Sequence, residues 1–176
     1  MIADIDLKKV IREVPDFPRP GILFYDITTL LQDPKAFSAV IAWLAEQARS
    51  RDVGAIVGIE SRGFIFGAPL AHALGIPFVP VRKAGKLPAR HMSIEYSLEY
   101  GESQLDIHSD AMAPGTRAMV IDDLLATGGT ALATVKLVEL VGGIVVCVAC
   151  ALELTFLSGR QKLTGYDVAT LVSYDA

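Results

Sequence analysis

Asp122 and Asp123 are followed, within one short run, by Leu124-Leu125-Ala126-Thr127-Gly128-Gly129-Thr130. Two carboxylates, two threonines and two glycines in one turn exceed what helix capping needs. Before them, Ala118 to Ile121 is an apolar run of strand length, and the spacing predicts that the carboxylates stand where this strand stops. After them, Leu132, Val135, Leu137, Val138 and Val141 recur at helical spacing, which predicts a helix over Ala131 to Val141. A helix start presents unpaired N–H groups and the positive end of its dipole. Gly128 and Gly129 let those amides approach an anion closely, and Thr127 and Thr130 add hydroxyl donors. The pocket suits a phosphate monoester. Carboxylates would repel that phosphate, so Asp122 and Asp123 must face hydroxyl donors or a metal-bound ligand. A ligand with a phosphate at one end and a diol nearby, such as ribose 5-phosphate, meets both demands.

Two further turns carry charge. Glu60-Ser61-Arg62-Gly63 follows the apolar run Ala55 to Ile59 and precedes an apolar helix expected over Phe64 to Leu74. Ile76 to Val81, the next expected strand, ends in Arg82-Lys83-Ala84-Gly85-Lys86, three cations around a glycine. Strand ends of this kind share one rim in an α/β sheet. Nearer the N-terminus, Pro18 and Pro20 with Gly21 argue against regular structure, leaving Ile22 to Tyr25 exposed beside a rigid turn. Those apolar and aromatic side chains could form a wall for a flat ligand. Cys147 and Cys150 lie inside the expected strand Ile144 to Leu152, where residues three apart point to opposite faces, so they read as small core residues. The three histidines have no metal-ligand spacing.

The elements that position these residues follow from periodicity and punctuation. Asp4 to Glu13 reads as a short amphipathic helix, and Asp33-Pro34 opens a helix running to about Arg51. Ala89 to Ile94 reads as irregular and mobile. Tyr96 to Tyr100 and Ser103 to Ile107 form two strands around Gly101, and Pro114-Gly115 is a turn. Phe156 to Leu163 is a short helix and Val168 to Val172 a last strand. Strand and helix alternate, which predicts an α/β fold: a central, mainly parallel sheet with helices on both faces.

The 176 residues suffice for one α/β domain. A net charge of −4 speaks against a nucleic-acid binder. The apolar content of 52% is high, yet the longest uncharged apolar stretch, Leu140 to Leu152, is too short to span a membrane. The N-terminus has no signal pattern, with acids at Asp4 and Asp6. The expectation is a cytoplasmic protein, without membrane or nucleic-acid partners, whose excess apolar surface forms a homodimer interface.

The stretch Val120 to Thr130 closely resembles the phosphoribosyl-diphosphate (PRPP) motif of type I phosphoribosyltransferases. Four further stretches, Phe17 to Thr28, Gly58 to Phe66, Val81 to Pro88 and Leu98 to Gly101, complete a resemblance to the adenine phosphoribosyltransferases over nearly the whole chain. Glu60-Ser61-Arg62-Gly63-Phe64 and Leu98-Glu99-Tyr100-Gly101 discriminate that family from other PRPP users. The resemblance implies a type I phosphoribosyltransferase fold over 1–176, with 1–33 a small hood over the base site and a mobile flap. It implies transfer of phosphoribose from PRPP to adenine with Mg²⁺, giving AMP and pyrophosphate, the ion reaching the site on PRPP.

Residue roles follow from the resemblance. Ala126, Thr127, Gly128, Gly129 and Thr130 would hold the 5-phosphate, and Asp122 and Asp123 the ribose hydroxyls. Glu60, Ser61 and Arg62 would form a pyrophosphate loop, often with a cis non-proline peptide. Arg82, Lys83 and Lys86 would neutralise pyrophosphate, and Leu23, Phe24 and Tyr25 would line the adenine site. Glu99 and Tyr100 would close over the reactants as the flap, with Arg62 the third catalytic group. Many members have a basic residue where this chain has Tyr25. A nucleotide-sensing regulator built on the same motif would carry an added basic DNA-binding segment, for which the chain has no spare length. A dinucleotide oxidoreductase would need G-x-G-x-x-G, and none occurs.

Overall fold

A computed structural model describes residues 6–98 and 101–175. The chain divides into two compact units, 1–43 and 44–176. In the first, α1 (Leu7–Val10) is followed by the antiparallel pair β1 (Arg12–Pro15) and β2 (Leu23–Asp26) and by α2 (Thr28–Gln32). The helix expected over Asp4 to Glu13 is thus one turn only among the described residues. Leu7 and Ile11 are buried as helical spacing predicts, but Arg12 to Pro15 gain ladder partners in β2 and turn extended. The same pairing corrects the expectation that Ile22 to Tyr25 is irregular. Pro18, Pro20 and Gly21 make the connection, and Leu23 to Asp26 form a strand. Helix α3 (Pro34–Arg49) follows, its first turn capped by Asp33 Oδ1, which accepts from the N–H groups of Lys35 (2.9 Å) and Ala36 (3.1 Å).

The second unit holds a seven-stranded sheet in the order β5-β6-β4-β3-β7-β8-β9. Its strands are β3 (Ala55–Ile59), β4 (Phe78–Lys83), β5 (His91–Leu98), β6 (Gly101–His108), β7 (Arg117–Leu125), β8 (Ile144–Leu154) and β9 (Val168–Tyr174). Strands β4, β3, β7, β8 and β9 pair in parallel, while β5 and β6 pair antiparallel at one edge. Helices α4 (Arg62–Leu74) and α5 (Gly129–Leu140) flank the sheet. All of β3 is buried, as befits a central parallel strand, and the core gathers Val57, Ile59, Val120, Val135, Leu137 and Val148 with both cysteines of β8 buried.

Three sequence expectations change here. His91 to Ile94 are not irregular: they lie in β5, whose register against β6 runs from His91↔His108 to Leu98↔Gly101. The antiparallel partner, and not local propensity, makes them a strand. Strand β7 does not stop at the carboxylates but continues to Leu125, because β8 keeps offering partners (Leu124↔Leu152, Leu125↔Glu153). The expected helix over Phe156 to Leu163 is a pair of 3₁₀ turns, Thr155–Leu157 and Gly159–Leu163, broken by Ser158 at φ 54°.

Candidate active site

The order β4-β3-β7 places the switch point of the sheet between β3 and β7: the chain leaves β3 for one neighbour and later returns on the other side. Ligands of open α/β sheets bind beyond the strand ends at such a point. A cavity of about 320 Å³ lies there, lined by Glu60, Ser61 and Arg62 after β3, Lys83 at the end of β4, and Asp122 to Ala131. The acidic pair, the Glu60-Ser61-Arg62 turn and the glycine-threonine turn therefore meet in one crevice. The Glu60–Ser61 peptide is cis.

Gly63 explains how α4 reaches this spot. A β-carbon there would lie 2.5 Å from the Ile121 carbonyl oxygen, so only glycine lets the first turn of α4 rest on β7. Arg62 is thereby carried to Asp123, with Nε 2.8 Å from Oδ2. Asp123 is buried, and Asp122, half-buried, accepts the Asp123 N–H at 2.9 Å. Burial and then repulsion from Asp123 push the Asp122 carboxyl well above the ordinary range. Burial also raises Asp123, and the Arg62 guanidinium opposes that rise. Ionisation of this pair is thus disfavoured in the crevice, and hydroxyl donors or a cation would relieve it.

The turn after β7 closes over α5. Gly128 caps α5 in the left-handed region at φ 77°, and no side chain among the described residues caps the helix, leaving its first amides available to an anion. Gly128 is needed for a second reason. A β-carbon on it would run into the Gly159 carbonyl oxygen, and one on Gly159 would run into the Ala126 carbonyl oxygen. The turn is therefore backed, glycine against glycine, by the second 3₁₀ turn. Arg160 anchors that backing: its guanidinium donates to Glu153 Oε1 at 2.7 Å and to Oε2 at 2.8 and 2.9 Å, to the Val168 carbonyl at 2.9 Å, and to Thr170 Oγ1 at 2.8 Å. Burial would raise the Glu153 carboxyl, but Arg160 and Thr170 outweigh it and hold it below its usual value.

The basic run after β4 divides its charges. Arg82 does not face the crevice as a free cation: it donates to both oxygens of Glu60, at 3.1 and 3.3 Å, and to the Lys86 carbonyl at 3.1 Å. Glu60 also accepts the Lys83 N–H at 2.9 Å, and its carboxyl is held below the usual range, chiefly by Arg82. Lys83 lines the cavity, whereas Lys86 is exposed outside that lining. Asp106, fully buried, pins the loop by accepting the Gly85 N–H at 3.2 Å.

In the first unit, Tyr25 is buried, Phe24 is half-buried against the exposed ring of Phe17 (centroids 5.1 Å apart), and Leu23 is exposed. The exposure expected for Ile22 to Tyr25 therefore fails at Tyr25: strand alternation turns its ring into the core beside Glu13, and burial then raises the phenol. Glu99 and Tyr100 lie outside the described residues. Sequence reasoning missed Tyr96 and Ser103, which line the cavity from β5 and β6, and the Glu153–Arg160 clamp. Alternation along Tyr96 to Tyr100 carried a strand signal, but nothing local pointed Tyr96 toward Thr130.

A doubly flanked, mainly parallel sheet with an acidic pair and a phosphate-type turn at its switch point defines the class of phosphoribosyltransferase domains, and the phosphoribosyl transferase domain family matches residues 26–169. The adenine phosphoribosyltransferase of Solibacter usitatus is 58% identical over 97% of this chain and 98% of its own. The crystal structure of adenine phosphoribosyltransferase from Thermoanaerobacter pseudethanolicus superposes with a TM-score of 0.93 at 53% identity, covering 99% of this chain and 100% of that one. The enzyme from Saccharomyces cerevisiae, solved in complex with adenine and an imino-altritol bisphosphate, gives 0.88 at 40% identity over 94% and 96%. The chain belongs to the adenine phosphoribosyltransferase family.

Proposed function

We propose that this protein transfers the 5-phosphoribosyl group of PRPP to adenine, giving AMP and pyrophosphate, as a salvage enzyme for purines. The observation that carries the reading is the crevice itself: an uncapped helix start with two glycines stands beside two carboxylates at the switch point of the sheet. The Saccharomyces relative's complex with adenine supports the choice of base.

In this reading Ala126 to Thr130 bind the 5-phosphate, and Asp122 and Asp123 accept from the ribose hydroxyls. Ser61 donates to pyrophosphate as it leaves, and Arg62 and Lys83 neutralise it, while Glu60 holds Arg82 and the Lys83 amide in place. At the anomeric carbon the bond to the pyrophosphate oxygen breaks and a bond to a ring nitrogen of adenine forms. Charge grows on the leaving group, so fixed cations lower the barrier. Glu99 accepts the proton that the purine ring gives up. Tyr100 and Glu99 exclude water, which would otherwise hydrolyse the activated sugar. Leu23, Phe24 and Tyr25 are assigned to adenine on the family resemblance. Mg²⁺ would come to the site on PRPP and would add positive charge at the pyrophosphate, and Asp122 and Asp123 could face the bound metal–ligand complex. The enzyme works as a homodimer in the cytoplasm.

The test is a competition assay with adenine, hypoxanthine and guanine in the presence of PRPP and Mg²⁺. A mismatch of buried polar groups costs about 1–3 kcal/mol each, and the wrong base mismatches two. Adenine should win by about 10²-fold or more in kcat/KM. Comparable rates with hypoxanthine would remove adenine as the substrate and leave only the phosphoribosyl transfer.

A further inference from the structure

Tyr96 is a residue of the crevice to which no role has been given. It projects from β5, which packs against α5, and it lines the same cavity as Thr130, the second residue of that helix. Its ring is half-buried against the core, and its hydroxyl lies 3.2 Å from Thr130 Oγ1. The pairing joins the β5–β6 hairpin to the start of α5 across 34 residues of sequence.

The protons on these two hydroxyls decide what the pair does. Each hydroxyl has one proton and can accept as well as donate. In the structure Thr130 donates to Tyr96. A phosphate at the helix start has only acceptor oxygens to offer, so the Thr130 proton must then turn to the phosphate. The lone pair it leaves facing Tyr96 is satisfied only if the Tyr96 hydroxyl donates. The result is a chain from Tyr96 through Thr130 to the phosphate, in which each bond polarises the next. Phenylalanine at this place would keep the ring on the core but leave Thr130 free to rotate away.

Building on the function proposed above, we propose that Tyr96 is a positioning residue for the 5-phosphate: its hydroxyl donates to Thr130 Oγ1 and aims the Thr130 proton into the phosphate site. The same bond links the hairpin to the cradle, so an occupied phosphate site holds β5 down on α5. Tyr96 acts through Thr130 and takes no part in the bond changes at the anomeric carbon.

The experiment is calorimetric titration of wild type and Tyr96→Phe with ribose 5-phosphate, AMP and adenine. Loss of one net hydrogen bond predicts about 2- to 10-fold weaker binding of ribose 5-phosphate and AMP in the variant. Adenine, which lacks the phosphate, should bind the two proteins alike. KM for PRPP should rise by the same factor with kcat nearly unchanged. In a Thr130→Ala background, adding Tyr96→Phe should cost nothing more, because the relay is already cut. The proposal is overturned if Tyr96→Phe binds ribose 5-phosphate as wild type does. It is also overturned if the loss persists undiminished in Thr130→Ala, or if adenine binding weakens equally, since either marks a general packing defect. Failure of the wild type to bind ribose 5-phosphate would instead overturn the phosphate cradle, and this role with it.

Discussion

Arg160→Met removes the guanidinium that fastens the backing of the phosphate turn while keeping most of the unbranched stem. The structure sets the size of the effect. Glu153 is 4% exposed and accepts three Arg160 contacts of 2.7–2.9 Å. Removing one partner of a fully buried pair costs about 3–5 kcal/mol. The Arg160 side chain is 47% exposed, so water reaches the gap, and Thr170 still donates to Glu153 at 2.7 Å. Both reduce the cost to about 1–3 kcal/mol. For a chain of this length about 2 kcal/mol lowers Tm by roughly 4–8 °C. The pH dependence has a definite sign. The Glu153 carboxyl is held below its ordinary 4.5 in the folded protein, so the clamp contributes fully above that value and fades as pH falls through the folded one. Thermal unfolding should therefore separate variant from wild type more at pH 7 than at pH 4. Glu153→Gln should narrow the difference that Arg160→Met makes. Because Gly159 abuts Ala126 and Gly128, ribose 5-phosphate should also bind Arg160→Met more weakly. A Tm shift under about 1 °C at pH 7, or one equally large at pH 4, would refute the reasoning.

Asp122→Asn should raise Tm at pH 8 and leave it nearly unchanged at pH 3, because a carboxyl raised on folding costs stability only where the unfolded chain would ionise it; a uniform shift would speak against the coupled pair. The same substitution should weaken binding of ribose 5-phosphate, whose hydroxyls lose a carboxyl acceptor. Glu99→Leu should lower kcat by about 10²–10⁴-fold with PRPP binding little changed, and turnover near wild type in a steady-state assay would end its role in proton transfer. Ile65, Met92, Leu140, Ile144 and Phe156 remain exposed on the single chain, so sedimentation at micromolar concentration should give twice the chain mass, and a fully active monomer would rule out the dimer.

Much of the site could be read from the chain because its parts are local. The helix start, Gly128 and the threonines follow one another, and a helix N-terminus makes its anion site from consecutive residues. Strand β3 coincides with the apolar run Ala55 to Ile59, and α3 opens at Asp33-Pro34, since burial on both faces and capping also leave local marks. Elements that needed a distant partner were misread. Arg12 to Pro15 and His91 to Ile94 became strands only through β2 and β6, whose backbone groups satisfy theirs.

The sequence by itself determined the alternating α/β architecture and the residue types at the crevice: two acids within a core strand, then glycines and threonines. Tertiary structure alone decided how those groups are held. It turned Arg82 onto Glu60, set Gly159 behind Gly128, and brought the Tyr96 hydroxyl to Thr130. The physical reason is range. Helix starts, turns and strand runs arise from interactions within a few residues, so residue order encodes them directly. A hydrogen bond or ion pair between segments far apart in the chain forms only where the packed core brings their ends together, and no local pattern specifies that meeting.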